Sequence, residues 1–417
     1  MDFGHSPRAR EYIERVSAFI RDEIDPVEPA YHRGVRASAD PWTPLPLVAE
    51  LQAKARAQNL WNLFMPDDEY GAGLSNVEYA PLAELMGRSF LAPHVFNCNA
   101  PDTGNMEVLA RYGSDEQKKT WLQPLLDARI RSAFSMTEPD VASSDATNMQ
   151  ATAIVQGDEI VVNGRKWWST GIGHPDCDLI IFMGVSDPEA HRYARHSMVL
   201  IPRSTPGVQV ERLLPVMGLY DEPYGHGEVT FTDVRVPATN VIGGLGRAFE
   251  IAQGRLGPGR VHHCMRLVGL AERALELACA RGTSRVAFGK PLINLGGNRE
   301  RIADARIAID QLRLLVLKTA WLLDTEGLQG ALSEVSQIKV AAPRVAQDVI
   351  DMAIQLHGGS GLSDDYPLAT AWTSARSLRL ADGPDEVHRG VIARLELKPY
   401  AKSDTSRSTN TDREEPS

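Results

Sequence analysis

Two stretches of the sequence carry side chains in patterns that suit binding chemistry. Residues 134–153 read FSMTEPDVASSDATNMQATA. There a strand end delivers a hydroxyl, an acid and a proline, and small polar residues follow. Exposed amides and hydroxyls in such a loop suit a ligand that presents phosphates or ring carbonyls. A polar inter-domain linker built on Asx and Ser turns has the same composition. Residues 166–171 read KWWSTG. Adjacent tryptophans on a strand face opposite sides, so one can pack in the core while the other covers a planar ligand. Two structural aromatics fit that pattern equally.

The generic motifs are missing. No G-x-G-x-x-G opens a helix after a strand, and neither a P-loop nor H-E-x-x-H occurs. His262 and His263 are helix neighbours that project about 100° apart, which argues against one metal taking both. No metal site is expected. Cys98, Cys177, Cys264 and Cys279 share no C-x-x-C spacing, which fits free thiols in a reducing compartment.

The elements that must position these stretches fall into three parts. From Pro7 to Leu126 the apolar spacing is helical, with Tyr12, Ile13, Val16 and Ile20 on one face. From Ile130 to Val241 the period shortens to two. A hairpin is expected around Gln156-Gly157-Asp158, and Asn163-Gly164 suggests another tight turn. Closely spaced strands of this kind suggest a small barrel or sandwich. After Gly246 long helical segments return, starting near Gly257, with a bundle seam at Ile302, Ala305, Ile309, Leu312, Val316, Ala320 and Leu323. The expected fold class is α+β. It comprises an N-terminal helical domain (1–129), a middle β-domain (130–242), a C-terminal four-helix bundle (243–400) and a disordered tail (401–417).

Composition agrees with a multi-unit globular chain. It has 417 residues, 43% hydrophobic and 24% charged, enough for a core without disulfide or metal staples. Lys plus Arg is 44 and Asp plus Glu is 54, a formal charge of −10, which argues against nucleic-acid binding. No run reaches the length of a membrane span; Leu179–Val185 is strand-length. The N-terminus lacks an apolar h-region and carries early acids, so a cytoplasmic protein is expected.

Taken in order, several motifs resemble the acyl-CoA dehydrogenase flavoprotein family. They are Met136-Thr137-Glu138-Pro139 with Ser144-Asp145, then Lys166 through Gly171, then Asp233-Val234-Arg235-Val236-Pro237. Arg285 with Phe288-Gly289-Lys290-Pro291, Gln355 through Gly361, and Arg389 follow. The resemblance spans nearly the whole chain up to the tail. It implies a helical domain, a β-domain and a four-helix bundle, FAD as cofactor, and an acyl-CoA as substrate. It also implies an electron-transfer flavoprotein or similar acceptor, and at least a homodimer, with a homotetramer common in the family.

The resemblance also implies roles by position. Phe134, Met136 and Thr137 would lie along the isoalloxazine, with Trp168, Ser169 and Thr170 on its other side. Arg285 and Phe288 would reach the FAD of a neighbouring subunit, and Gln355 with Gly358 and Gly359 would close on that same dinucleotide. A glycine pair suits the place, because backbone approaches phosphate closely only without a Cβ. Ser143 and Glu386 are further cofactor positions. Ser144 would touch the CoA arm, with Ser143 the competing choice there, and Arg260 would stand near the acyl end.

Asp382, in Asp382-Gly383-Pro384, occupies the family's base position, where relatives carry Glu. Asp-Gly-Pro is also simply a good turn. The rival helix position for a base reads Gly259. The implied reaction is α,β-dehydrogenation of an acyl-CoA to the trans-2-enoyl-CoA, with Asp382 taking the α-proton and the β-hydride passing to flavin N5. The alternatives are a flavin oxidase on the same fold, of the nitroalkane- or acyl-CoA-oxidase type, or a non-catalytic flavin- or CoA-binding paralogue. Met217–Phe231 (MGLYDEPYGHGEVTF) departs from the family pattern: it is longer and holds Tyr220, Tyr224 and His226.

Overall fold

The computed structural model describes residues 4–400, without side-chain description for residues 255–258; the expected disordered tail lies outside the described residues. The N-terminal part contains helices α1 (Pro7–Phe19), α2 (Glu28–Ala37), α3 (Pro46–Ala57), α4 (Asn76–Met86), α5 (Ala92–Val95), α6 (Asp102–Tyr112), α7 (Asp115–Gln117) and α8 (Gln123–Leu126). Their starts follow the local sequence. Ser6 accepts from the Ala9 amide and Pro7 takes the first turn of α1. Ser75 and Glu78 form a reciprocal capping box on α4. The predicted face of α1 is seen: Val16 is buried, and Ile20 and Ile24 continue it through a π turn.

The middle part is a curled seven-stranded sheet. Its strands are β1 (Arg131–Ser135), β2 (Thr152–Gln156), β3 (Glu159–Thr170), β4 (Cys177–Val185), β5 (His196–Pro202), β6 (Val208–Leu213) and β7 (His226–Pro237). The order is β1-β4-β2-β3-β7-β6, with β5 on β4. The β2–β3 hairpin forms as expected, with Gln156 opposite Glu159 and Gly157 at φ 67°. Asn163-Gly164 is not a turn. β3 runs through it as a bulge, where the Asn163 side chain accepts from the Asp233 amide at 2.8 Å. Gly164 passes so close to Ala151 that an added Cβ would lie 2.4 Å from the Ala151 Cβ. Residues that tolerate unusual φ serve bulges as well as turns, and only the pairing of β3 with β7 decides between them.

The C-terminal part contains α9 (Ala248–Ser284), the small ribbon of β8 (Val286–Ala287) and β9 (Lys290–Pro291), α10 (Asn298–Gly330), α11 (Leu332–His357), α12 (Leu368–Ser377) and α13 (Asp385–Leu397). α9 starts at Ala248 rather than near Gly257 and continues through the LGPGR stretch. Pro258 and its glycines are poor helix formers, which is why the sequence pattern places the start later. The fourth member of the bundle is broken into α12 and α13 by the segment that holds Asp382. Ile309, Leu312, Val316 and Ala320 are buried, as the predicted seam requires. The N-terminal part docks tightly on this bundle: a Cβ on Gly269 of α9 would sit 1.8 Å from the Glu84 carbonyl oxygen of α4. Arg313 clamps the same junction through Glu84 and Glu272.

Candidate active site

The turn at 382–384 is held from three helices. Arg260 on α9 donates through Nε to the Asp382 carbonyl at 3.1 Å. His388 on α13 donates through Nε2 to the same oxygen at 3.2 Å. Lys339 on α11 donates to the carbonyls of Leu378 and Gly383. Asp382 itself has φ 56°, an unusual value for a residue with a Cβ, and Gly383 has φ 102°. An added Cβ on Gly383 would lie 2.9 Å from His388 Nε2. Strain of this kind persists only where the surroundings impose it.

The Asp382 carboxylate is 22% exposed, and its Oδ2 lies 3.5 Å from His263 Nε2. The two adjacent histidines thus divide as the helix angle requires. His262 is buried edge-on against Tyr79, and burial pushes it down to about 3. His263 faces the turn. Burial also lowers Arg260 and Lys339 from their ordinary values, while Asp382 opposes both shifts. Burial, then Arg260, bring His388 down to about 4. A neutral His388 donating from Nε2 is therefore the form that fits.

The second group lies on the middle sheet. Phe134 and Met136 are half-buried and pack against the helical core, while their neighbour Ala133 belongs to the sheet core. The loop after β1 hangs on a buried ion pair. Lys166 Nζ lies 2.7 Å from Glu138 Oε1 and donates to the Met136 carbonyl at 2.8 Å. Glu138 in turn accepts from the amides of Gln150 and Ala151. The pair closes both ends of the polar loop. Thr137 is half-buried, and its carbonyl accepts from the Trp167 amide. Ser143 Oγ accepts from the Glu138 amide at 2.8 Å, and Ser144 is exposed.

A second irregularity in β3, between Lys166 and Ser169, gives Trp168 φ 54° and leaves it 39% exposed. Ser169 is buried and shares a hydrogen bond with Ser135 at 2.8 Å, so it offers a ligand only its main chain. Thr170 Oγ1 lies 2.9 Å from His226 Nδ1.

The third group sits at the far end of the bundle. From Arg260 to Arg285 α9 rises roughly 38 Å at 1.5 Å per residue. Arg285 and Phe288 follow α9, and Phe288 is 96% exposed. Gln355 is exposed near the end of α11, and Gly358 begins the next turn at φ 62°. Arg281 of α9 lowers His357 of α11 after burial does, which puts these two helix ends side by side. Glu386 is exposed in the first turn of α13, beside the Asp382 turn.

Three family models match the chain: the acyl-CoA dehydrogenase N-terminal domain over residues 6–129, the middle domain over 133–234 and the C-terminal domain over 246–397. The chain belongs to the acyl-CoA dehydrogenase family. The Mycobacterium tuberculosis protein named Probable acyl-CoA dehydrogenase FadE2 is 50% identical over 400 residues, 95% of this chain and 97% of that one. The mouse protein named Acyl-CoA dehydrogenase family member 10 is 54% identical over 404 residues, 96% of this chain but 38% of its own length. The chain spans about half, or less, of the animal relatives it matches. A solved structure from Mycobacterium abscessus is 70% identical, with a TM-score of 0.93 over 95% of this chain and 100% of that one.

The cofactor of the family is FAD, and the residues present fit it. Trp168 offers an aromatic face, Thr137 and Thr170 offer hydroxyls, and an added Cβ on Gly358 or Gly359 would meet nothing within 4 Å. Among the described residues no cluster could hold a metal, and no helix is long and apolar enough to cross a membrane.

Sequence reasoning weighed His263 only as a metal ligand, and did not single out His388, Lys339 or the Lys166–Glu138 pair. The last had a signal, since a lysine opens the KWWSTG strand and a glutamate sits in the polar loop. The others come from three helices that meet only in space.

Proposed function

We propose that the chain catalyses FAD-dependent α,β-dehydrogenation of an acyl-CoA, with Asp382 as the base. The observation that carries this is the Asp382 turn. Its carbonyl oxygen is tied down by Arg260 and His388, its φ is 56°, and its carboxylate is left to one side, partly exposed. An ordinary helix-linking turn does not need side chains from three helices on its carbonyls.

Asp382 Oδ takes the α-proton of the thioester, which lies next to an acidifying carbonyl. An aspartate is one methylene shorter than glutamate, so the fixed backbone sets how near the carboxylate stands to Cα. Arg260, bonded to the Asp382 carbonyl, holds that reach constant. FAD, when bound, supplies the hydride acceptor for the β-hydrogen. Trp168, Ser169 and Thr170 orient one face of the ring system, and Phe134, Met136 and Thr137 the other, with Ser143 and Glu386 near the cofactor. Ser144 receives the CoA arm.

Arg285, Phe288, Gln355, Gly358 and Gly359 serve the cofactor of a second subunit. They stand a bundle length from Asp382 within one chain, and a phenylalanine 96% exposed calls for a partner surface. The working unit is a homodimer or homotetramer, and an electron-transfer flavoprotein or similar acceptor takes the electrons. The three family-model matches support units at about 1–129, 130–242 and 243–400.

Anaerobic mixing with short, medium, long and branched acyl-CoAs tests the reaction through flavin absorbance. At least one thioester should bleach the flavin, and Asp382→Asn should slow bleaching about a thousandfold, within the usual reach of general-base catalysis. Equal rates in the two proteins would remove Asp382 from the mechanism. Rapid peroxide formation in air would favour the oxidase, and a yellow protein inert to the whole panel the non-catalytic paralogue.

A further inference from the structure

The segment between β6 and β7, expected to be longer than in relatives, carries an imidazole to Thr170. Tyr224, buried, stacks on His94 with ring centroids 4.1 Å apart and lies across His174 at 5.2 Å. Tyr220 meets Trp42 edge-on at 6.4 Å. The main chain is stitched to the turn that follows β3 by Gly171 N–H to the Gly225 carbonyl and Gly173 N–H to the Tyr224 carbonyl. A Cβ on Gly225 would lie 2.8 Å from the Trp42 ring, so the close approach needs glycine there. The segment is thus wedged between the helical part and the sheet. Its next residue is His226, with Nδ1 2.9 Å from Thr170 Oγ1 and its ring 5.8 Å from that of Trp168.

The tautomer follows from the partners. Nε2 faces Asp221 Oδ2 at 3.9 Å, beyond hydrogen-bond reach, and burial raises the Asp221 pKa; the tautomer with its proton on Nε2 is the one that turns a donor toward that carboxylate and leaves Nδ1 for Thr170. Burial lowers the His226 pKa, with Asp221 opposing, which keeps the ring neutral. Nδ1 is then an acceptor, and Thr170 donates its hydroxyl proton to it. The lone pairs of Thr170 Oγ1 are left for the ligand side of the strand.

We propose that His226 is a positioning residue that turns the Thr170 hydroxyl into a hydrogen-bond acceptor toward the flavin, so that the segment between β6 and β7 tunes the cofactor's redox poise. This rests on the reading that Thr170 faces the ring system. Two-electron reduction puts a new N–H donor on the flavin at N5. A wall that accepts favours the reduced form; a hydroxyl free to rotate and donate favours the oxidised one.

The test is equilibrium reduction of the FAD-loaded protein against reference dyes, with no acyl-CoA present. His226→Leu frees the hydroxyl and should shift the oxidised-to-reduced equilibrium about tenfold toward oxidised, about 30 mV lower for a two-electron couple. His226→Asn, whose side-chain oxygen can take the place of Nδ1, should restore most of the parent potential. In a Thr170→Val background, His226→Leu should add no further shift. An unchanged or raised potential in His226→Leu, or His226→Asn displaced as far as His226→Leu, would overturn the proposal. Either result leaves the acyl-CoA reaction standing, because no substrate enters the measurement. Conversely, a flavin that no acyl-CoA bleaches, yet whose potential follows this pattern, would remove the reaction and keep the role of His226.

Discussion

At the scale of single residues, the proposed role of Asp382 makes reactivity depend on the hydrogen bonds to its own carbonyl. Arg260→Leu removes one of them and the cation beside the carboxylate. We expect flavin bleaching by acyl-CoA to slow roughly 10- to 100-fold, the usual cost of a misplaced catalytic group, while the flavin stays bound; stopped-flow absorbance reads both. Buried histidines set the acid limit of stability. Burial brings His174 and His262 to about 3 and His388 to about 4. Their unfolded forms titrate near 6.5. The unfolded chain therefore binds more protons below that value, and stability present above pH 6.5 is lost as pH falls toward 4. About a unit below pH 6.5 each approaches a slope of about 1.4 kcal/mol per pH unit. Thermal midpoints should fall across that window, and His262→Phe should flatten the fall.

At the scale of elements, the polar loop after β1 is shaped by one ion pair rather than by its own turn residues. Lys166 is almost wholly buried, and burial brings it down to about 8 with Glu138 opposing. Removing one partner strands the other. Lys166→Met should cost about 3–5 kcal/mol in urea unfolding. Lys166→Met with Glu138→Gln together should cost less than that single change, because no buried charge is then left alone. The loop sequence announced small polar residues and an acid. It did not announce the clamp, because Lys166 lies on a different strand and its direction depends on where the β3 bulges fall.

At the scale of the whole molecule, the bundle sets Asp382 at one end and the exposed Phe288 at the other. If each active site takes Asp382 from one chain and Phe288 from another, two crippled proteins should repair each other. Asp382→Asn and Phe288→Ala should each be nearly inactive alone. Unfolded together and refolded as a 1:1 mixture, they should regain about a quarter of the parent activity, since half the dimers are mixed and one of their two sites is intact. Activity that stays at the level of the separate variants would mean that each chain holds a complete site.

Much of this protein was readable from the sequence alone. Helical periods of three and four and strand periods of two depend on neighbours along the chain, so the three-part α+β order was legible, as were the ordered motifs. What tertiary structure decided was where local preference was ambiguous or irrelevant. Asn163-Gly164 suits a turn or a bulge, and pairing with β7 chose the bulge. His262 and His263 are adjacent in sequence, yet packing buried one on Tyr79 and aimed the other at Asp382. His226 and Thr170 are 56 positions apart and meet only because β3 and β7 are paired in register. Contacts of that kind follow from how whole elements bury their apolar faces against one another, which no local pattern encodes.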